Sequence, residues 1–298
     1  MPRVDSSKIP TGALGSAVDR VQVTTEQPGA SDGTGAFRTV CDFTHMAFDD
    51  PIVYPGQPGR SHLHAFFGNT GVNGNSTAAS IASTGNSSCR GGTLNRSAYW
   101  VPAMIDTRDG TPLRPSESHF YYKTGYNGIA PSAIQPFPVG LRMIAGDTKN
   151  ALPSGPFSYS CHGGSSQMIG KTIPNCPVGA EVWQHIIFPQ CWDGVNLDSP
   201  DHKSHMAYPS NRACPASHPV PVPEITFNIV YRVTEANSPL RWRLASDNYD
   251  PSLPAGYSSH GDWFNGWRPE IMDTFVRRCD QPAVDCRSHL LGDGRAIN

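Results

Sequence analysis

The 298-residue chain has no Cys-x-x-Cys pair, no basic run longer than Arg277-Arg278, and no apolar stretch near the ~18 residues a membrane span requires. Each absence removes a class. Without close cysteine pairs, zinc ribbons and redox dithiols are excluded. With 23 Lys+Arg scattered against 25 Asp+Glu, the footprint of a nucleic-acid binder is missing. No membrane-spanning helix is expected. Glutamate is scarce at six residues, so a glycosidase would have to use a pair of aspartates, and no Gly-x-Ser-x-Gly elbow occurs, which disfavours a Ser-His-Asp hydrolase. The start, Met-Pro-Arg-Val-Asp5, lacks a charged region followed by an apolar one, and any secretion signal is expected to have been removed already.

What is abundant is Gly (29) and Pro (28) without a period, against only 16% charged residues, which describes an ordered, loop-rich chain rather than a helical one. Eight dispersed cysteines favour four disulfides and an extracellular setting. Their order suggests Cys161 with Cys176, Cys191 with Cys214, Cys279 with Cys286 and Cys41 with Cys89, although eight cysteines permit 105 pairings.

Residues 1–36 are polar and read as an extended lead-in, and residues 37–298 as a single disulfide-bonded domain. Short β-branched or aromatic runs bounded by Pro or Gly predict strands at Ser97–Val101, His119–Lys123, Val139–Ile144, Glu181–Phe188 and Glu224–Arg232. The clearest alternation is Ile225, Phe227, Ile229 and Tyr231 against Thr226, Asn228 and Val230. One helix is predicted, at Glu270–Cys279 with Pro269 in its first turn, and Asn69–Gly92 reads as a long surface excursion tied down by Cys89. The fold class is therefore all-β, a sandwich or jelly roll with long loops and few short helices.

The segment Tyr54-Pro-Gly-Gln-Pro-Gly-Arg-Ser-His-Leu-His-Ala-Phe-Phe-Gly-Asn69 carries the strongest chemical signal. On a strand, His62 and His64 point to one side and Leu63 to the other. Paired imidazoles can ligate a metal or exchange protons near neutral pH. Further motifs are Cys161-His-Gly-Gly164, Trp192-Asp-Gly194, Asp201-His-Lys-Ser-His-Met-Ala-Tyr208 and Ser259-His-Gly-Asp-Trp-Phe-Asn-Gly-Trp267. Loops converging on one cleft would present such groups.

Three chemistries fit. In a metal site, His62 and His64 are joined by His205, His162 or Asp201. In a lyase, a histidine or tyrosine takes the proton α to a uronic carboxylate, Lys203 or Arg60 neutralises that carboxylate, and Tyr208 or another histidine protonates the leaving oxygen. In a glycosidase, a pair drawn from Asp50, Asp193, Asp201 and Asp262 flanks the scissile bond. Trp100, Trp183, Trp192, Trp263 and Trp267 could stack on sugar rings. Structural roles compete throughout: Asp201 capping a turn, His260 bonding a carbonyl, His202 and His218 solvated, the tryptophans filling the core.

The stretch Phe43–Asn69, together with Ala98-Tyr-Trp-Val-Pro102, Val139–Gly146, Cys161-His-Gly163, Phe188-Pro-Gln-Cys-Trp-Asp-Gly194, Ser204-His-Met-Ala-Tyr208, Cys214-Pro and His260-Gly-Asp-Trp-Phe-Asn-Gly-Trp267, resembles a family of secreted fungal and bacterial domains of unknown function. Its fungal members often accompany the WSC carbohydrate-binding module. The resemblance covers roughly residues 37–280 and implies an extracellular, polysaccharide-associated protein, but supplies no catalytic residue.

The residue expectations come from chemistry alone. The reading is a secreted monomer that cleaves polysaccharide or oligosaccharide as lyase or hydrolase, with a non-catalytic wall-binding protein and a metal-dependent hydrolase or oxidase as alternatives. His62, His64, His162, Asp201, His205 and Tyr208 are the catalytic candidates. Arg60, Asn69, Trp100, Trp192, Asp193, Lys203, His260, Asp262, Trp263 and Trp267 are the substrate-binding candidates. A divalent metal at His62 and His64, with His205 as third ligand, is the candidate cofactor.

Overall fold

The computed structural model describes residues 1–148, 153–163, 169–247 and 252–298. Eleven strands build its two main sheets: β1 (Gly35–Val40), β2 (Phe43–Ala47), β3 (His64–Gly68), β4 (Ala98–Pro102), β5 (Glu117–Thr124), β6 (Arg142–Gly146), β7 (Phe157–His162), β8 (Ile169–Gly170), β9 (Glu181–Ile187), β10 (Glu224–Arg232) and β11 (His260–Phe264). One sheet runs β8-β7-β9-β10-β5-β1 and the other β2-β3-β4-β11-β6, with antiparallel neighbours throughout. The all-β expectation holds.

Alternation places the core between the sheets. Phe120, Tyr122, Val182, Ile186, Phe227 and Ile229 of the first meet Ala65, Phe67, Tyr99, Met143 and Trp263 of the second in one buried cluster. Tyr99 stacks on Phe120 at 4.0 Å between ring centroids and meets Phe227 edge-on at 5.6 Å, so aromatic rings knit the two layers. At the centre Tyr122 and Tyr99 share a 2.7 Å hydroxyl hydrogen bond, and the Trp267 indole donates to Tyr122 Oη at 2.8 Å. The buried phenols are thereby satisfied.

The second sheet has its outer face covered as well. Phe66, Trp100 and Phe264 point away from the sandwich and pack with Ile52, Val72 and Ile81 of the covering segment. Gly261 keeps β11 close to the other sheet, because a Cβ there would meet Ile186 and Phe227 at 3.2 Å. Its neighbours His260 and Asp262 thus face the covering segment rather than the core.

Four predicted strands agree with β4, β5, β9 and β10 to within two residues, whereas Val139–Ile144 forms β6 only from Arg142 onward. The terminal helix α2 spans Pro269–Phe275 and continues as a π-turn over Val276–Asp280. Asn69–Gly92 is not loop throughout: Ala78–Ser83 forms a short helix, α1, whose N-cap Thr77 exchanges hydrogen bonds with Ser80 in a capping box. Ile81 anchors it. Within residues 1–36, Ser6–Lys8 forms a short 3-10 turn and Val21–Val23 pairs with Arg295–Ile297 near the chain's other end. All four disulfides follow the order-based pairing. Loop-closure reasoning gives each about 2–4 kcal/mol.

Candidate functional site

His64 opens β3 and His62 lies just before it, with Leu63 buried in the core on the opposite side. The two imidazoles stand 4.2 Å apart between ring centroids. The third ring beside them is His260 of β11, 5.1 Å from His62 and 5.8 Å from His64. One donor atom from each of the three lies within 4.8 Å of the others, and the same holds for Asp50, His64 and Asp262. Five titratable side chains from three separate segments thus form one cluster.

The hydrogen bonds fix two of the tautomers. His64 Nδ1 lies 2.8 Å from the carbonyl oxygen of Asp49, and His260 Nδ1 lies 2.8 Å from that of Ser258. A carbonyl only accepts, so Nδ1 carries the proton in both rings and Nε2 carries the lone pair. His64 Nε2 and His62 Nε2 are buried without a partner, as are both carboxylate oxygens of Asp262. Asp50 Oδ1 accepts from the amides of Ile52 and Val53 at 2.9 Å.

Burial sets the electrostatics. It pushes the His64 imidazole down to about 3 and His260 to about 4, and holds His62 well below its usual range, so all three are neutral at pH 7. Burial, followed by the nearby Asp50 charge, pushes Asp262 well above the usual carboxylate range.

Above the cluster lies a cleft of about 560 Å³, walled by Tyr54, Arg60, His62, Asp201, Lys203 and His260. Lys203 Nζ is held at the wall by the Gly146 carbonyl at 2.9 Å and Asp147 at 3.5 Å. The Arg60 guanidinium lies over the Tyr54 ring at 6.0 Å and makes no ion pair among the described residues.

Other sequence expectations land elsewhere. His205 does not join the cluster: Nε2 bonds the Arg142 carbonyl at 2.6 Å, Nδ1 meets Ser199 Oγ at 2.9 Å, and the ring is buried. His260 stands where a third ligand was expected from His205. His162 is at the end of β7 on the other sheet, against Trp183 and Ser160. Gly164 of its motif lies outside the described residues. Tyr208 donates its hydroxyl to the Ile187 carbonyl at 2.8 Å, away from the cleft lining. Asp201 reaches the cleft but works as a turn cap: Oδ1 accepts from Ser199 Oγ, Lys203 N, Ser204 N and Ser204 Oγ, and the Ser204 amide leads in holding its carboxyl below the usual range.

The expected sugar-binding groups divide in the same way. Asn69 clamps a loop, donating to the carbonyls of Ile81, Thr84 and Arg96 and accepting from Gly71 N. Asp193 Oδ1 caps the turn at Val195 and Asn196, and Trp192 donates to Asn196 O. Trp100, Trp263 and Trp267 are core residues at 0–2% exposure, with no face left for a sugar. Two residues of the site went unremarked. Asp147 carries no motif that singles it out, and Asp49 acts through its main-chain carbonyl, which any residue type could supply.

A family model for a domain of unknown function, DUF1996, matches residues 50–267, and the chain belongs to this family. The matched span runs from Asp50 through Asp262 and so encloses the whole histidine–carboxylate cluster. No curated protein and no solved structure matches the chain.

Proposed function

We propose that the protein cleaves an acidic extracellular polysaccharide in the cleft above His62 and His260. One observation carries this reading: a single cavity, large enough for sugar rings, joins two cations on its wall, Arg60 and Lys203, to neutral imidazoles on its floor. The cations would hold uronic carboxylates and the imidazoles would move protons at the glycosidic oxygen. Four disulfides, the lack of a membrane-spanning helix among the described residues, and the resemblance to domains that accompany carbohydrate-binding modules support the extracellular setting. Tyr208 is committed to a carbonyl elsewhere, so in either hydrolysis or elimination the proton transfers would fall to the groups that line the cleft.

The experiment is a digest of polygalacturonate, alginate and hyaluronan, with neutral glucans as controls, followed by reducing-end release and ultraviolet absorption. New reducing ends, lost in Arg60→Ala and His260→Gln, are expected. The absorbance of an unsaturated uronide growing with the reducing ends would mark elimination, and reducing ends without it hydrolysis. Cleavage untouched by His260→Gln would remove this cleft from the reaction.

A further inference from the structure

The five-residue cluster at the cleft floor poses an accounting problem. His64 Nε2 is a lone pair by tautomer, both Asp262 oxygens accept, and all three atoms are buried without partners within one small space. His260 Nε2 is a lone pair by the same argument. Acceptors facing acceptors cannot satisfy one another. A buried polar atom left unpaired costs about 1–3 kcal/mol, and a proton on Asp262 would serve only one of the several lone pairs. A cation among the three imidazoles would use their lone pairs, and the triad of Asp50, His64 and Asp262 adjoins that point through His64.

A purely structural role leaves this unexplained. The Asp262 side chain is almost fully buried and carries no hydrogen bond, so it neither caps a turn nor braces a strand. It also lines the cleft beside His62 and His260. What distinguishes this cluster from ordinary core polar residues is that two rings are fixed by Nδ1–H bonds to carbonyls, which is how proteins orient histidine toward a metal.

We propose that His62, His64 and His260 bind one divalent cation of the zinc type, with the carboxylates of Asp262 and Asp50 adjoining through His64. Three neutral imidazoles suit a borderline ion, whereas calcium and magnesium prefer oxygen ligands throughout. Bound at the foot of the cleft, such an ion would supply an activated water for hydrolysis, and the imidazoles that hold it would serve as ligands in place of proton carriers. The inference rests on the reading of this cleft as the reactive site, but its test needs no substrate.

The test uses the full chain purified without chelator, assayed for metal by elemental analysis, then stripped and titrated with Zn²⁺, Ca²⁺ or Mg²⁺ while bound metal and thermal midpoint are followed. Expected are about one equivalent of Zn²⁺ bound, a raised midpoint with Zn²⁺ alone, and at least ~10-fold weaker Zn²⁺ binding in His62→Ala and Asp262→Asn. His62 lies at the cleft wall, so its variant should fold even where one at His64 does not. A folded wild type that takes up no Zn²⁺, or variants that bind it as tightly as wild type, would overturn the proposal. Metal bound by a protein inert on every acidic polymer would keep the ion site and remove the polysaccharide reading, and cleavage by a metal-free protein would do the reverse.

Discussion

Two groups of three histidines occupy opposite sheets of this sandwich, and they differ in what their nitrogens meet. At the cleft floor His62, His64 and His260 keep buried lone pairs beside a carboxylate that has no partner. On the outer face of the six-stranded sheet, His162 stacks on Trp183 at 4.4 Å and His119 packs on the same indole at 5.8 Å. There Ser160 Oγ bridges His162 Nε2 at 3.0 Å and His185 Nε2 at 2.7 Å, His185 Nδ1 meets Asn228 Oδ1 at 2.7 Å, and His119 pairs with Glu117 at 3.2 Å. The outer group is closed by its own side chains. None of its ring nitrogens is buried without a partner. The histidine count is the same in both, so the distinguishing mark of a candidate site is unspent bonding capacity in a dry place.

The largest effect should come from His64→Ala. Deleting a fully buried imidazole leaves a cavity and an orphaned Asp49 carbonyl, for an expected loss of about 2–4 kcal/mol in urea unfolding together with all cleavage. His162→Ala should leave cleavage within about twofold of wild type, since the ring lies on the other sheet. If His162→Ala abolished cleavage and His64→Ala did not, the comparison would be inverted.

Acid should separate the folded and unfolded states next. His64 and His260 resist protonation down to about 3 and 4 in the fold but accept protons near 6.5 when unfolded. The unfolded state therefore binds more protons below pH 6.5, and the stability of metal-stripped protein should fall as pH drops from 6.5 toward 4. Each of the two groups contributes up to about 1.4 kcal/mol per pH unit. Denaturant midpoints at a series of pH values measure this, and a flat profile over that window would mean the two rings are not held neutral.

The smallest effect belongs to the outer group. Ser160→Ala removes the hydroxyl that both His162 and His185 use, at an expected cost of about 1 kcal/mol, with Zn²⁺ uptake and cleavage unchanged. Loss of metal binding in this variant would show that the two groups communicate.

Much of the architecture was legible where the signal is local. The alternation of Ile225, Phe227, Ile229 and Tyr231 marked β10, because successive side chains of a strand point to opposite faces, although in the fold the intervening Thr226, Asn228 and Val230 are buried too. The i, i+2 spacing of His62 and His64 gave half of the cluster by the same rule. α1 escaped notice because Ala78–Ser83 is short and small, and its cap uses Ser80 where the usual signature has Glu or Gln.

His260 is 196 positions beyond His64 by number, and neither residue announces the other. His205 was the third ligand expected from sequence, but its ring is spent on the Arg142 carbonyl and Ser199. The tryptophans misled for a related reason: a large ring beside a polar motif fits a sugar platform and a sandwich core equally well, and burial decides between them.

By itself the chain determined most of its strands, its terminal helix and the shared side of His62 and His64, since each depends on neighbours or on a period of two, while the order of the cysteines only suggested the pairing that the fold made definite. Only the tertiary structure decided that β11 runs beside β4 with Asp262 opposite Trp100, bringing His260 and Asp262 under the segment that carries Asp50, His62 and His64. Strand order is a long-range choice. It comes from burying whole faces rather than from any local pattern, and with it comes the cluster of lone pairs at the foot of the cleft.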